Sequence, residues 1–563
     1  MSSTIVKKSN GLSLTTHLGD SAVLLAFDLD EGKTEKFAGF AVHCVTPPNK
    51  KGPYHSNEYF LPNRLNFEKG LTREKTLGSS DYTSSDKAPF QVFHWIHFPS
   101  AGPGEYQYTA YAAYFKDHRS IELGPKVSSK IKLVYQSNIS NLELGFTRGY
   151  ISSQAYSERF ENKNIRPKEK SIDFDTKPYE QQYEWLGAHA RQIICKFLEE
   201  CEQDSSIQVD VFSYDFDEPD IIRSLCKLGE RVRVFQDDSK SHIGAKAMEP
   251  KVQEALERAG AQVKTGHFHR FAHNKVMIQK KGGKAVKVLT GSANFSLRGL
   301  YVQANSILLF NDPDIANLYE QAFEQSFTSA SHFVESSIAS KWYNVKKPVP
   351  LTISFAPHKT AFSLDKVAES IESAKSSVFF AIMEAGGTGP VMPALQNLAD
   401  NNNSDIFSLG ILQKESELKL FKRGINNNTA TTSFNYLHKN VPEPFKDEWS
   451  GGAGQVIHHK YVVCDFNDKS PVVFCGSSNL SEGGEKSNGD NLLAIYDRKI
   501  AICYAVEAIR LFDHYRFRTL QENSTSDNPL VLDTTNKWLK DYYNPKMLKF
   551  HERKILSTAI REK

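Results

Sequence analysis

Over the first 140 residues, short apolar runs alternate with turn-forming clusters. The runs SAVLLAFDLD (21–30), KFAGFAVHCV (36–45), QVFHWIHF (91–98), YQYTAYAAYF (106–115) and SKIKLVYQ (129–136) are rich in aromatic and β-branched residues, which fit a pleated, half-buried surface. In the fourth run Tyr106, Tyr108, Ala110, Ala112 and Tyr114 recur at every second position and share one face. Pro47-Pro48-Asn49 and Gly102-Pro103-Gly104 punctuate the text as turns. The pattern predicts an all-β sandwich domain over 1–140, with 49–90 as a long loop carrying an edge strand.

From about 145 the period changes, and strand-like runs alternate with helical ones. SIQVDVFSY (206–214), RVRVFQ (231–236), QVKTGH (262–267), HNKVMIQ (273–279), KAVKVLTGS (284–292) and NSILLF (305–310) read as strands, with helices between them and a helix over 312–330 at the end. After a linker at KWYNVKKPVP (341–350) the same order returns in SVFFAIM (377–383), DIFSLGIL (405–412), HHKYVVCDF (458–466), PVVFCGSS (471–478) and NLLAIYD (491–497), closed by an apolar-periodic run over 500–522. The expected organisation is a first α/β half at 145–340, a second at 350–525 and a C-terminal tail at 526–563. Within 531–563 eight basic residues face four acidic ones, which reads as a solvated helix or as a patch for an anionic partner.

Composition narrows the classes. A chain of 563 residues is too long for one core. Lys+Arg 69 against Asp+Glu 66 leaves no global basic field to argue for nucleic acid. Seven cysteines form no CxxC pair and no zinc-finger spacing, which fits a reducing compartment better than a disulfide scaffold. The N-terminal MSSTIVKKSNGLSLTT has lysines but no apolar segment after them, and no run approaches 18 apolar residues. The expectation is a cytoplasmic protein with no integral membrane association.

The repeat carries the chemistry. His273-Asn274-Lys275 and His458-His459-Lys460 each open a strand, so His273 and Lys275 project together, as do His458 and Lys460, while Asn274 and His459 point away. Gly291-Ser292-Ala293-Asn294 begins 18 residues after His273, and Gly476-Ser477-Ser478-Asn479 begins 18 residues after His458. A third echo pairs Asn305 with Asn491, offset by one residue. One His-x-Lys carries no information; two with matched offsets in matched contexts do. Two histidines can divide the nucleophile and acid roles of phosphodiester cleavage when one ring is neutral and the other protonated. Two lysines and two asparagines would then place donors around the phosphoryl oxygens.

On these residues the sequence resembles the phospholipase D superfamily, whose signature is His-x-Lys-x4-Asp followed by Gly-Ser-x-Asn, twice per active site. The C-terminal copy matches with His458, Lys460, Asp465 and GSSN at 476–479; the N-terminal copy has Lys280 where the Asp would stand. The resemblance covers about 145–525. It implies a duplicated α-β-α sandwich with pseudo-two-fold symmetry, catalytic residues His273, Lys275, His458, Lys460 and Asp465, and phosphate contacts at Ser292, Asn294, Ser477 and Asn479. It further implies attack by His273 to give a phosphohistidine, protonation of the leaving group by His458, and no metal or cofactor.

Other readings stay open at this level. His267, His269 and His273 are close enough in sequence for a zinc site. Cys464 and Cys475 lie in apolar strand text and read as buried hydrophobes. Gly386-Gly387-Thr388-Gly389 lacks the ending of a phosphate loop and reads as a turn. For substrate, the lysine-rich hairpin Lys280, Lys281, Lys284 and Lys287 favours a nucleic-acid backbone. The alternatives are phospholipid hydrolysis, headgroup transfer, or a non-catalytic nucleic-acid-binding module.

Overall fold

Two four-stranded sheets form the N-terminal region in the computed structural model. One runs Thr4–Ser9, Leu12–Leu18, Val23–Leu29, His94–His97; the other runs Ile121–Leu133, Gly104–Phe115, Phe37–Val45, Glu58–Phe60. Phe27, Phe37, Phe40, Phe93, Tyr106, Tyr108, Ala110 and Ala112 bury between them, so the two-residue period of 106–112 marks the core face. The first hairpin, Thr4–Leu18, is absent from the sequence reading. It turns at Asn10-Gly11, whose φ angles of 50° and 77° are both positive, as a tight two-residue hairpin turn requires. The structure describes residues 3–558 apart from 53–54, 74, 76–80, 118–119, 135–138, 140, 150–152, 384–386, 401–404, 413–428 and 434–456. Gly386 of the glycine turn lies outside the described residues.

The two α/β halves repeat one strand order. The first sheet runs Leu142–Phe146, Ser306–Phe310, Lys284–Gly291, Val276–Lys281, Ile207–Ser213, Val232–Asp237, Gln262–Gly266. The second runs Leu351–Ala356, Asp490–Ile495, Val472–Gly476, Lys460–Cys464, Ser377–Ile382, Phe407–Leu412, Thr429–Ser433, with Tyr343–Val345 added at its edge. Both are mixed sheets, parallel at the last three strands and antiparallel elsewhere. One apolar core joins the halves, from Leu144 and Phe212 through Tyr319 and Phe355 to Tyr461 and Tyr504. The helix Arg498–Glu522 is buried almost all round from Ile500 to Phe512, as expected of a helix enclosed on every side.

The two parallel bridges Phe271–Asn488 and Ala304–Ile457 stitch the halves at the strand ends. Backbone bonds from Gly489 N to Phe271 O (2.8 Å) and from His458 N to Ala304 O (3.2 Å) reinforce them. This seam passes directly beside both His-x-Lys elements.

The tail corrects the sequence reading. It is not a solvated helix, because 530–557 straps across the N-terminal sandwich. Leu539 and Tyr542 enter the sandwich core, Tyr543 donates to Leu29 O at 2.7 Å, and His17 Nε2 meets Leu556 O at 2.7 Å. His94 lies between Asp513 and Glu552, each at 2.8 Å. Burial opposes its charge, but the two carboxylates raise its pKa to about 10. The basic side chains of this segment therefore work partly inside the fold, with Arg553 buried against Asp28 and the Tyr543 ring.

The strap makes a stability prediction. Tyr542 packs on Phe93 at a centroid distance of 4.5 Å, so Tyr542→Ala should remove about 3 kcal/mol by leaving a cavity in a filled core. Urea unfolding measures this, and a loss below about 0.5 kcal/mol would mean that the segment is not part of the core.

Candidate active site

The site assembles where the two sheets present equivalent strand starts. His273, Lys275, His458 and Lys460 are all buried, none more than 4% exposed. The alternation expected at the strand starts appears in the contacts: Asn274 turns away to accept from Asn491 at 2.7 Å, and His459 turns away to Glu507 at 3.0 Å.

Each histidine is held by the opposite half. His273 Nδ1 meets Asp490 Oδ1 at 2.7 Å, and His458 Nδ1 meets Asn305 Oδ1 at 2.9 Å. Both partners follow their own half's histidine by 32 residues, so the exchange is reciprocal. The true echo is Asn305 with Asp490, not Asn305 with Asn491. The Asn305 amide is oriented by donating from Nδ2 to Gly299 O at 2.8 Å, which leaves Oδ1 as an acceptor. His458 therefore carries its hydrogen on Nδ1, and its Nε2 remains available. The Asp490 carboxylate sets His273 the same way, with charge added.

The Gly-Ser-x-Asn turns support this exchange from behind. Gly291 and Gly476 have φ of 152° and 143°, and a Cβ would lie 2.2 Å from Ser306 O and 2.4 Å from Asn491 O. Only glycine allows so close an approach to the neighbouring strand. Ser292 Oγ donates to Asn305 Oδ1 at 2.8 Å, and Ser477 Oγ accepts from Asn491 N at 3.0 Å. Both hydroxyls thus brace the supporting strands rather than face a phosphate. Asn294 is buried and donates to Asp215 at 2.5 Å, Asn479 is half-buried, and the Oδ1 atoms of both are unpaired.

Electrostatics follow from burial. Burial lowers the His273 pKa, Lys275 lowers it further, and Asp490 opposes both. Burial likewise pushes His458 well below its ordinary value, helped by Lys460, Lys275 and His273. The ammonium of one half therefore acts on the imidazole of the other. Lys275 falls to about 7 for the same reason, although Asp490, Asp215 and Asp237 oppose the shift. Its ammonium also sits 4.8 Å over the Tyr214 ring.

Three sequence expectations change. Asp465 is not with the catalytic groups. It accepts from the backbone N–H of Lys375, Ser376 and Ser377 at 2.7 to 3.3 Å, at the end of strand Lys460–Cys464 opposite Lys460, and its φ is +58°. Lys280, in the equivalent place of the first half, pairs with Asp210 at 3.0 Å and Glu320 at 3.5 Å. Lys281 pairs with Asp204, and Lys287 with Glu200, so three of the four hairpin lysines are neutralised locally.

The zinc reading also changes. His267 binds Asp238 at 2.5 Å and His273 binds Asp490, so the three histidines do not gather. Among the described residues, Asp215, His242 and Glu249 form one cluster close enough to ligate an ion, and Asp210, Glu320 and Glu324 form another. Both His242 nitrogens already meet carboxylates. Asp490, Asp215 and His242 lie in no motif of the sequence; only the 32-residue offset points to Asp490. Cys464 and Cys475 are buried as expected of small hydrophobes, and burial raises both thiols.

Comparison with known proteins adds the family. Residues 194–327 match the family model described as "Cardiolipin synthase, PLD-like domain". Residues 194–327, within the first half, thus match a phospholipase D-like domain, in line with the resemblance drawn from the sequence. No curated protein matches the chain. Among solved structures, it is similar to polyphosphate kinase from Porphyromonas gingivalis (12% identity, TM-score 0.40, 58% of this chain and 48% of that one). It is also similar to phosphatidylserine synthase from Haemophilus influenzae Rd KW20 (11%, 0.38, 65% and 93%). A third is yeast tyrosyl-DNA phosphodiesterase (13%, 0.31, 54% and 87%). The chain spans about half the length of that kinase, and none of these activities passes to it from likeness of this degree.

The exchanged supports predict opposite titration changes. Asp490→Asn removes a charge that raises His273, so the ring should stay neutral to still lower pH. Asn305→Asp adds such a charge beside His458, whose pKa should rise. Proton NMR of the two imidazoles reads both shifts, and unchanged titration in both variants would mean that the pairing across the halves is absent in solution.

Proposed function

We propose that the chain is a phosphodiester hydrolase working through a phosphohistidine. The observation that carries this reading is the reciprocal exchange at Nδ1, which holds two imidazoles rigidly and leaves both Nε2 atoms for chemistry. In the first step His273 Nε2 attacks phosphorus, the P–O bond to the leaving group breaks, and His458 supplies the proton to that oxygen. In the second step water attacks phosphorus, His458 takes its proton, and the P–N bond breaks to release the phosphomonoester. Lys275, Lys460, Asn294 and Asn479 would hold the phosphoryl oxygens, with the lysines supplying positive charge.

The unequal supports favour His273 as the nucleophile. A full carboxylate behind Nδ1 steadies the cation that forms when Nε2 bonds to phosphorus. The amide behind His458 offers a hydrogen bond without a charge, which suits a ring that must gain and lose a proton. Both rings are neutral near pH 7 in the free site, so the anionic phosphate must raise His458 when it binds.

The substrate is a phosphodiester. The nucleic-acid reading rests on the lysine hairpin, and with Lys280, Lys281 and Lys287 in ion pairs that hairpin has little surplus charge to offer a polynucleotide. Polynucleotide and phospholipid therefore stand as the two arms of the substrate assay, with headgroup transfer read by adding an alcohol acceptor.

Hydrolysis should persist in excess EDTA, and His273→Ala should abolish both turnover and any acid-labile phosphoryl-enzyme. His458→Ala should still trap phosphate from a p-nitrophenyl ester, whose leaving group needs little protonation. The value of kcat/KM should rise with pH through the His273 pKa, below 6.5, because the nucleophile must be neutral. It should fall as the free site's His458 loses its proton, well below pH 6.5, and fall further near pH 7 as Lys275 loses its charge, and Lys275→Arg should move that second limb upward. Phosphate on His458 would reverse the roles. Loss of all turnover in EDTA, restored by zinc, would end the proposal.

A further inference from the structure

His242 belongs to neither motif, yet its contacts lead to both parts of the first one. It lies after strand Val232–Asp237 and is 5% exposed. Its Nδ1 meets Asp237 Oδ1 at 2.6 Å, and its Nε2 meets Asp215 Oδ1 at 3.0 Å. Each carboxylate uses its second oxygen on the proposed active site. Asp215 Oδ2 accepts from Asn294 Nδ2 at 2.5 Å. Asp237 Oδ2 accepts from the backbone N–H of Ala272, the residue before His273, also at 2.5 Å. The Tyr214 ring fills the space between, with its centroid 4.4 Å from His242 and 4.8 Å from His273.

Such an arrangement is hard to explain by stability. Burial opposes a charge on His242, but its hydrogen bonds to Asp215 and Asp237 raise its pKa to about 10, so a cation shares one space with the buried Asp237 and Glu249 and the partly exposed Asp215. Well-packed apolar groups of the same volume stabilise a fold as well or better. What charged hydrogen bonds supply and apolar packing does not is direction.

We propose that His242 is a positioning residue for the first half of the site, aiming the Asn294 amide through Asp215 and fixing the turn into His273 through Asp237. The proposal rests on the phosphodiester reading. The second half is braced differently: there Glu485 accepts from Ser478 and Ser363 and lies 3.4 Å from His358, so the brace reaches the residue before Asn479, not Asn479 itself. The influence of His242 is therefore confined to Asn294 and His273.

The test is a pair of double-mutant cycles on bis(p-nitrophenyl) phosphate. His242→Gln keeps a donor of similar size but cannot hold both carboxylates. It should lower kcat by about 10- to 100-fold with KM changed less than about 2-fold, the effect of a small misplacement. In an Asn294→Ala background the same change should cost much less, because part of its effect is already lost; in an Asn479→Ala background the full loss should remain. Equal losses in both backgrounds, or no loss from His242→Gln, would overturn the proposal. Should His242→Gln fail to fold, the shorter His242→Asn, which also keeps a donor but cannot hold both carboxylates, is read in the same two backgrounds. Absence of wild-type hydrolysis would refute the phosphodiester reading alone. The cycles are then read on inorganic phosphate affinity, where the same dependence on background is expected and its absence overturns the proposal.

Discussion

Two hydrogen bonds that cross between the halves govern this molecule. His273 leans on Asp490 and His458 on Asn305, so neither half holds its own histidine. A free imidazole exchanges tautomers and rotates about χ2; a bond at Nδ1 removes both freedoms and selects Nε2 for chemistry. Because each partner comes from the other sheet, the selection is made only when the sheets dock. The continuous core and the backbone bridges at 271–488 and 304–457 hold that docking. Even the requirement for Gly291 and Gly476 follows, since the supporting strands must approach within reach of the histidines.

The same docking buries two ammonium groups and two imidazoles together. Desolvation is the first cause of each shift resolved for His273, Lys275 and His458, and in a low-dielectric space like charges repel strongly. Asp490 and Asp215 offset part of this without cancelling it. Burial of the free site thus disfavours positive charge on these groups, and a bound anion would oppose that effect. On the proposed function, binding and protonation would be linked in this way: a phosphate anion held by Lys275 and Lys460 would also make it easier for His458 to hold a proton.

What the sequence revealed depended on whether a signal was periodic or positional. The duplicated strand order and the two His-x-Lys elements were legible because repetition multiplies weak evidence. The partner of each histidine was nearly legible: Asn305 was paired with Asn491 by residue type, whereas the equal 32-residue spacing belongs to Asp490. The Thr4–Leu18 hairpin had its signal in Asn10-Gly11, obscured by a polar run. His242, Asp215 and Asp237 had none, since they come from strand ends and a loop with no repeat in the other half. The tail misled for a different reason. An amphipathic basic segment reads alike whether its apolar face meets solvent or, as with Leu539 and Tyr542, a sandwich core laid down five hundred residues earlier.

Duplication gives two copies of each part, but hydrolysis through a covalent intermediate needs two different imidazoles. The differences between the copies fall into two groups. At the far strand ends, Asp465 ties down three backbone amides while Lys280 joins Asp210 and Glu320. These positions stand five residues beyond their lysines, about 16 Å along an extended strand, so the missing motif aspartate alters a strand end and leaves the chemistry alone. At the near ends the differences touch the site: carboxylate against amide behind the two histidines, and an acid-anchored Asn294 against a freer Asn479. The second group is the one that can tell a nucleophile from an acid. A departure from a motif therefore weighs on function according to where its side chain ends, and here the conspicuous one, Lys280, weighs less than the single substitution of Asp490 for an asparagine.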